Sequence, residues 1–160
     1  MLIEKAELET LIPHRGKMML LSRVNEYDLK EGTLCAEYHI SEDCLFYDPR
    51  SGGVPSWVGF EFLAQAISAY SGIRNREMGI KPKMGFILSV PFMRMEIPVY
   101  KSGARLLLNV VEKDRTGLIY SFDVEASLGG KKAMEGKLMV MEMDEGGYNK
   151  LIMEQSNGQQ

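Results

Sequence analysis

The fold is decided by SWVGFEFLAQAISAYSG, residues 56–72, a stretch that contains no proline and is apolar around nearly its whole circumference. A helix on a protein surface has one apolar stripe and one polar face. Because this stretch lacks that asymmetry, it predicts a buried helix, with Pro55 and Ser56 at its start. We expect the helix to reach about Arg74, a length of roughly 28 Å.

The segments on both sides of the helix predict β-strands. Thr33–Ile40 alternates between apolar and polar residues, and Met18–Val24 is a short apolar run. Four further strands, separated by turns, are predicted at Gly85–Ile97, Ala104–Lys113, Leu118–Leu128 and Lys132–Met143. Because short turns join most of these strands, the pattern predicts an α+β fold with an antiparallel sheet of five to six strands wrapped around one long central helix.

Length and composition predict one domain. A chain of 160 residues fits a single core, and we assign residues 1–143 to it. Residues 144–160 form a C-terminal tail that is expected to be poorly ordered at its end, because its composition is polar and rich in glycine, glutamine and asparagine.

Charge and composition argue against several classes of protein. The net charge of −3 disfavours nucleic acid as a partner, since phosphate binding requires clustered cations. No run approaches the roughly 20 apolar residues of a membrane-spanning helix, and the acidic start of the chain does not resemble a signal peptide. Two cysteines are too few for a disulfide framework, so we expect a cytoplasmic protein. The sequence shows no metal-ligand spacing or nucleotide loop, and no cofactor or metal is predicted.

Glu61 and Gln65 are the polar exceptions on the apolar helix. They are four residues apart and therefore share one helix face. A carboxylate in apolar surroundings is paired, protonated or at a cleft, because isolating its charge from water is costly. The residues alone leave two interpretations of Glu61 open, a general acid or a structural anchor bonded to nearby backbone.

Three motifs resemble one family. The pattern of Pro55, Glu61 and Gln65 resembles the P-G-V-x-x-x-E-A-x-A-Q helix of the 3-hydroxyacyl-(acyl-carrier-protein) dehydratases, hotdog-fold enzymes of fatty-acid synthesis. IPHRGKMMLLSRV (residues 12–24) is similar to that family's L-P-H-R opening, and FMRMEIPV (residues 92–99) to its F-x-R-P-V-x-P-G-D strand. The sequence VPSWVG before Phe60 looks most like a divergent subgroup associated with aryl-polyene pathways.

The resemblance implies a hotdog fold and the dehydration of a 3-hydroxyacyl thioester to a trans-2-enoyl thioester. In the family, a histidine removes the C2 proton and the helix carboxylate protonates the departing hydroxyl. Backbone amides at the helix start polarise the thioester carbonyl. The resemblance therefore makes Glu61 the acid, and it suggests substrate contacts for five residues of the matching motifs: Ser56, Trp57, Val58, Gln65 and Arg94.

One family residue is missing. The family histidine falls at Tyr47 in this chain, and no histidine lies between Cys44 and Pro55. A neutral tyrosine, with a reference pKa near 10, is a poor base at neutral pH. We therefore consider three sources of the base: His14, a histidine-bearing partner subunit, or Tyr47 or its neighbour Asp48.

Several functions and partners remain open at this stage. A hotdog acyl thioesterase and a catalytically silent acyl-binding subunit of a heteromeric dehydratase are the alternatives to a dehydratase. The resemblance implies a substrate carried on acyl carrier protein or coenzyme A, and a homodimer or a heterodimer with a histidine-bearing homologue. An acidic carrier needs a basic docking patch, and Arg74, Arg76, Lys81 and Lys83 are candidates for it.

Overall fold

The computed structural model describes residues 2–158. This part of the chain forms three α-helices, α1 (Lys5–Leu11), α2 (Gly59–Glu77) and α3 (Glu145–Asn157). It also forms nine strands: β1 (Ile3–Glu4), β2 (Arg23–Asp28), β3 (Thr33–His39), β4 (Gly53–Pro55), β5 (Met84–Met95), β6 (Val99–Lys101), β7 (Arg105–Thr116), β8 (Ile119–Leu128) and β9 (Lys131–Met143). A short 3₁₀ turn, Ser56–Val58, leads into α2.

Seven strands make one antiparallel sheet in the order β1-β2-β3-β7-β8-β9-β5, and β4 pairs with β6 in a small second sheet. The register places Leu34, Val110 and Val124 side by side on one face. These residues are buried, as are Phe62, Ala66 and most of the other apolar residues of α2. One sheet face therefore packs on α2, which confirms the predicted α+β fold.

Glycines let α2 approach its neighbours closely. A Cβ at Gly59 would lie 2.4 Å from the hydroxyl oxygen of Tyr100, and one at Gly72 would lie 2.4 Å from the backbone oxygen of Leu11. Both distances are far shorter than a carbon–oxygen contact permits. Any side chain at these positions would push α2 away from the sheet or from α1.

Three details differ from the sequence prediction. The sheet has one more strand than expected, because β1 has only two residues and cannot show an alternating pattern. The strand expected at Met18–Val24 starts at Arg23 instead, since Met19, Leu20 and Leu21 are buried in an irregular segment. The first of the four later strands is not beside the next one in the chain, because β5 pairs with β9 at the far edge of the sheet.

The last described segment folds into α3, where the sequence pattern predicts no helix or strand. Asp144 begins this helix, and its carboxylate accepts a hydrogen bond from the Gly147 N–H. Tyr148 stacks on Phe86 of β5 at 5.4 Å between ring centroids. The final two residues of the tail lie outside the described part of the chain.

Candidate active site

Glu61 lies at the N-terminal end of α2. The 3₁₀ turn Ser56–Val58 and the close packing of Gly59 on Tyr100 fix the direction in which the helix starts. A carboxylate in the first turn is favoured by the helix dipole. The Glu61 side chain is 32% exposed, so it reaches solvent and is not enclosed in the core.

Gln65 fixes the position of the Glu61 carboxylate. Its side chain is completely buried, and its Nε2 donates to Glu61 Oε1 at 3.0 Å and to the Met18 carbonyl oxygen at 2.8 Å. Its Oε1 accepts from the Leu20 N–H at 2.8 Å. The side chain thus joins the Glu61 carboxylate to the segment that contains Met18 and Leu20. The resemblance suggests substrate contact for Gln65, and in the structure its polar atoms bond to Glu61, Met18 and Leu20.

The segment held by Gln65 brings His14 to Glu61. His14 Nε2 lies 3.6 Å from Glu61 Oε1, and the histidine side chain is 26% exposed. This distance is slightly longer than a hydrogen bond, so a small rotation of either side chain would join the two groups. The described structure therefore places an imidazole beside the helix carboxylate within one chain.

The surroundings of His14 favour its neutral form. Burial lowers its pKa below the ordinary value, the Glu61 carboxylate acts in the opposite direction, and the Arg15 guanidinium adds to the lowering. Nδ1 is buried and has no hydrogen-bond partner among the described residues. A neutral ring that carries its proton on Nδ1 leaves Nε2, the nitrogen that faces Glu61, free to accept a proton. His14 is therefore suited to accept a proton only transiently.

The start of α2 offers backbone donors. The Ser56 N–H already donates to the Pro98 carbonyl oxygen at 3.0 Å, and the Ser56 hydroxyl contacts Met95 Sδ at 3.5 Å. The next two amides, of Trp57 and Val58, belong to the first turn, where N–H groups point out of the helix start. The Trp57 side chain is 62% exposed beside the site.

Tyr47 and Arg94 lie outside the His14–Glu61 pair. Tyr47 is partly buried against the core, and no hydrogen bond among residues 2–158 links its hydroxyl to the pair. Arg94 is opposite Glu135 in the register, on the sheet face away from α2, where it forms ion pairs with Glu96 and Glu135. A strand position alternates between faces, and the sequence motif alone did not identify which face Arg94 occupies.

Sequence reasoning missed the contact between Gln65 and the Met18–Leu20 segment. The partners are 45 and 47 residues apart in sequence, and a local pattern carries no signal for contacts of that separation. The described residues contain no group of three or more histidine, cysteine or acidic side chains placed to hold a metal ion. None of their helices is long and apolar enough to cross a membrane.

The chain is similar to known proteins over most of its length. Residues 6–152 match a family model described as ApeP-like, ApeP dehydratase. The chain is 30% identical over 142 residues to a 3-hydroxyacyl-[acyl-carrier-protein] dehydratase FabZ of Histophilus somni, covering 86% of this chain and 91% of that protein. The FabZ of Haemophilus influenzae is 32% identical over 143 residues, with 86% and 92% covered.

The fold also matches a solved structure, the dehydratase heterocomplex ApeI:P from Xenorhabdus doucetiae. The TM-score is 0.82 at 23% sequence identity, and the match covers 91% of this chain and 96% of the other. At that identity the similarity supports the hotdog fold alone. The family model and the FabZ relatives go further, and they show that this chain belongs to the family of ApeP-like hotdog dehydratases.

Proposed function

We propose that this protein dehydrates 3-hydroxyacyl thioesters to trans-2-enoyl thioesters. The observation that carries the proposal is the 3.6 Å approach of His14 Nε2 to Glu61 Oε1 at the start of α2. A β-elimination of water needs a base for the C2 proton and an acid for the C3 hydroxyl. The FabZ relatives are named for 3-hydroxyacyl groups on acyl carrier protein, and we extend that substrate class to this chain.

In the proposed reaction, His14 acts as base and Glu61 as acid. Neutral His14 accepts the C2 proton at Nε2, and protonated Glu61 gives its proton to the C3 hydroxyl, which leaves as water. The C2–C3 double bond forms from the electrons of the C2–H bond. The protonated imidazole then faces the new carboxylate, with Nε2 3.6 Å from Oε1. A small rotation brings the two groups into a hydrogen bond, and transfer of one proton from His14 to Glu61 restores the starting state.

The start of α2 supplies the electrostatic part of the proposal. Negative charge develops on the thioester carbonyl oxygen as the C2 proton leaves, and N–H donors aimed at that oxygen stabilise it. The Ser56 N–H is engaged with Pro98. We therefore assign the carbonyl oxygen to the amides of Trp57 and Val58, where the helix dipole adds to their effect.

Product analysis tests the proposal. The purified chain is incubated with a 3-hydroxyacyl carrier protein, and the acyl product is weighed by mass spectrometry. We expect the acyl group to lose one water and to stay attached to the carrier. A free 3-hydroxy acid would instead indicate a thioesterase, and an unchanged substrate would contradict catalysis by this chain alone.

A second arm of the same experiment tests the source of the base. A histidine-bearing homologue, inactivated at its own helix acid, is added to the chain. If dehydration appears only in that mixture, the base comes from the partner and His14 is not the base. Equal rates with and without the homologue support the assignment of His14.

We further propose that the chain works as a dimer, with an identical subunit or with a homologue, through the free edge of β5. Among residues 2–158 this strand bonds only to β9, and six of its large apolar side chains are 40–48% exposed: Met84, Ile87, Leu88, Val90, Phe92 and Met95. A long apolar edge strand is prone to pair with another chain. Light scattering on the preparation used for product analysis is expected to give at least twice the monomer mass.

We propose the cytoplasm as the compartment. Cys35 and Cys44 are both free thiols, and unpaired cysteines are the usual state in a reducing compartment. Carrier-bound substrates of the kind named for the FabZ relatives fit the same assignment.

The proposed base predicts the pH dependence of the reaction. Since burial lowers the pKa of His14 from its ordinary value, which is about 6.5 for a histidine, the acidic limb of the kcat/KM profile is expected to fall below pH 6.5. Arg15→Gln removes a cation that lowers this pKa, so it should shift the limb toward higher pH.

NMR titration measures the pKa of His14 independently, because His14 and His39 are the only two histidines. A His39→Gln variant assigns the two signals, and an His14 midpoint above pH 6.5 would contradict the proposal.

A further inference from the structure

The segment His14–Arg23, which lies over the candidate active site, carries positive charges and no negative ones. From His14 to Arg23 the chain contains Arg15, Lys17 and Arg23 but no carboxylate. Arg15 and Lys17 are exposed, and they lie between His14 and Met18, the residues that approach Glu61 and Gln65. Two exposed cations therefore stand at the rim of the candidate active site.

The charge of these two cations is not neutralised by nearby acids. Arg15 Nη1 donates to the carbonyl oxygens of Ile12 and His14, at 2.6 and 2.7 Å. Carbonyl oxygens are uncharged, so they hold the guanidinium in place without neutralising its positive charge. Within residues 2–158 neither Arg15 nor Lys17 forms an ion pair, and Glu61 is the carboxylate that approaches this loop.

The other basic residues are less suited to meet a partner at the site. Arg74, which the sequence pointed to, is buried and bonded to Glu142 and Glu112, and Arg76 pairs with Glu7. Lys81 and Lys83 follow the opposite end of α2, roughly 24 Å from Glu61 along the helix. The basic patch expected after α2 does not form as predicted, because Arg74 and Arg76 already pair with glutamates of this chain.

We propose that Arg15 and Lys17 form the docking surface for an acidic carrier protein that delivers the acyl thioester to Glu61. This inference rests on the proposed function, because it takes the carrier-bound 3-hydroxyacyl group as the substrate. The thioester must come into contact with the His14–Glu61 pair, so the carrier must dock beside that pair. Uncompensated cations there attract an acidic surface and raise the rate of productive encounter, although the whole chain is net negative.

Charge reversal tests the docking surface. Lys17→Glu and the double variant Arg15→Glu/Lys17→Glu are compared with the wild type on two substrates. One is a 3-hydroxyacyl group on acyl carrier protein, and the other is the same acyl group on N-acetylcysteamine, a small uncharged thioester. The readout is the ratio of kcat/KM for the carrier substrate to kcat/KM for the small thioester. This ratio cancels any effect of Arg15 on the loop or on His14.

We expect the ratio to fall by about tenfold or more in the double variant, within the range that electrostatic steering contributes to association. The wild-type ratio should also decline as salt rises, and the double variant should lose that salt dependence. Lys30→Glu is the matched control, because Lys30 is exposed in the turn at the far end of the β2–β3 hairpin. Its ratio should match that of the wild type.

Direct binding separates failure of docking from failure of the proposed function. Fluorescence anisotropy with a labelled 3-hydroxyacyl carrier protein gives a Kd that does not depend on turnover, and we expect it to rise by about tenfold in the double variant. A Kd and a ratio within twofold of the wild type would overturn the docking surface. Wild-type binding without dehydration of either substrate would instead count against the proposed function and leave the docking result intact.

Discussion

Glu61→Gln is expected to lower kcat for dehydration by about 10²–10⁴-fold, the usual contribution of a general acid or base. The substitution keeps the size of the side chain, and its amide oxygen can still accept the hydrogen bond that Gln65 Nε2 now gives to Glu61 Oε1 at 3.0 Å. What it removes is the proton that leaves with the C3 hydroxyl. Stopped assays with product mass measured at each time point give kcat, and thermal unfolding checks that the fold is intact.

Glu77→Gln provides a matched control for this prediction. Glu77 is the last residue of α2 and is exposed, so the same chemical change occurs on the same helix, far from His14. Its kcat should equal that of the wild type. A Glu61→Gln protein that retains kcat within threefold of the wild type would show that Glu61 is a structural anchor and not the acid.

A double variant tests whether His14 and Glu61 act together. His14→Gln alone is expected to cause a loss similar to that of Glu61→Gln, because each removes one end of the same proton path. Groups that act as a unit are strongly non-additive, so the double variant should lose little more than the worse single variant. Fully multiplied losses would mean that the two residues serve separate steps, and that another group is the base.

The elements that the sequence predicted well are those with local signals. The apolar circumference of residues 56–72 predicted α2, and glycine turns predicted the hairpins that join β7, β8 and β9. What the sequence could not give was the order of strands. Nothing in Gly85–Ile97 distinguishes a strand beside β7 from one at the far edge beside β9, because strand pairing depends on contacts distant in sequence.

The candidate site likewise combines one feature that a local pattern predicts with contacts between residues distant in sequence. Helical spacing alone put Glu61 and Gln65 on one face, and the 3.0 Å hydrogen bond between them follows from that spacing. The approach of His14 to Glu61 spans 47 residues and depends on buried contacts of Gln65 with the backbone around Met18. Glu37, a polar position in the alternating stretch Thr33–Ile40, is completely buried, which the alternation alone does not predict. Side chains from neighbouring strands cover it, with ion pairs from Arg23 and Arg105.

Arg74→Ala is expected to destabilise the fold by about 3–5 kcal/mol, the usual cost of removing one partner from a buried ion pair. Arg74 Nη2 donates to both carboxylate oxygens of Glu142, at 2.8 and 2.7 Å, and Nη1 donates to Glu112 at 3.1 Å. The guanidinium also lies 4.4 Å from the centre of the Tyr120 ring. Glu142 is only 3% exposed, so removing the arginine leaves a buried carboxylate without its cation.

Thermal and denaturant unfolding measure this loss, which corresponds to a fall in Tm of about 6–20 °C for a chain of this size. Arg76→Ala is the control, because its pair with Glu7 is solvent-exposed on both sides and such pairs contribute at most about 1 kcal/mol.

A second-site variant identifies the cause of the lost stability. If the cost of Arg74→Met comes from the unpaired charge of Glu142, adding Glu142→Gln should recover part of the lost stability, since a neutral amide is less costly to bury. A double variant no more stable than Arg74→Met would assign the loss to packing against Tyr120 or to Glu112 instead.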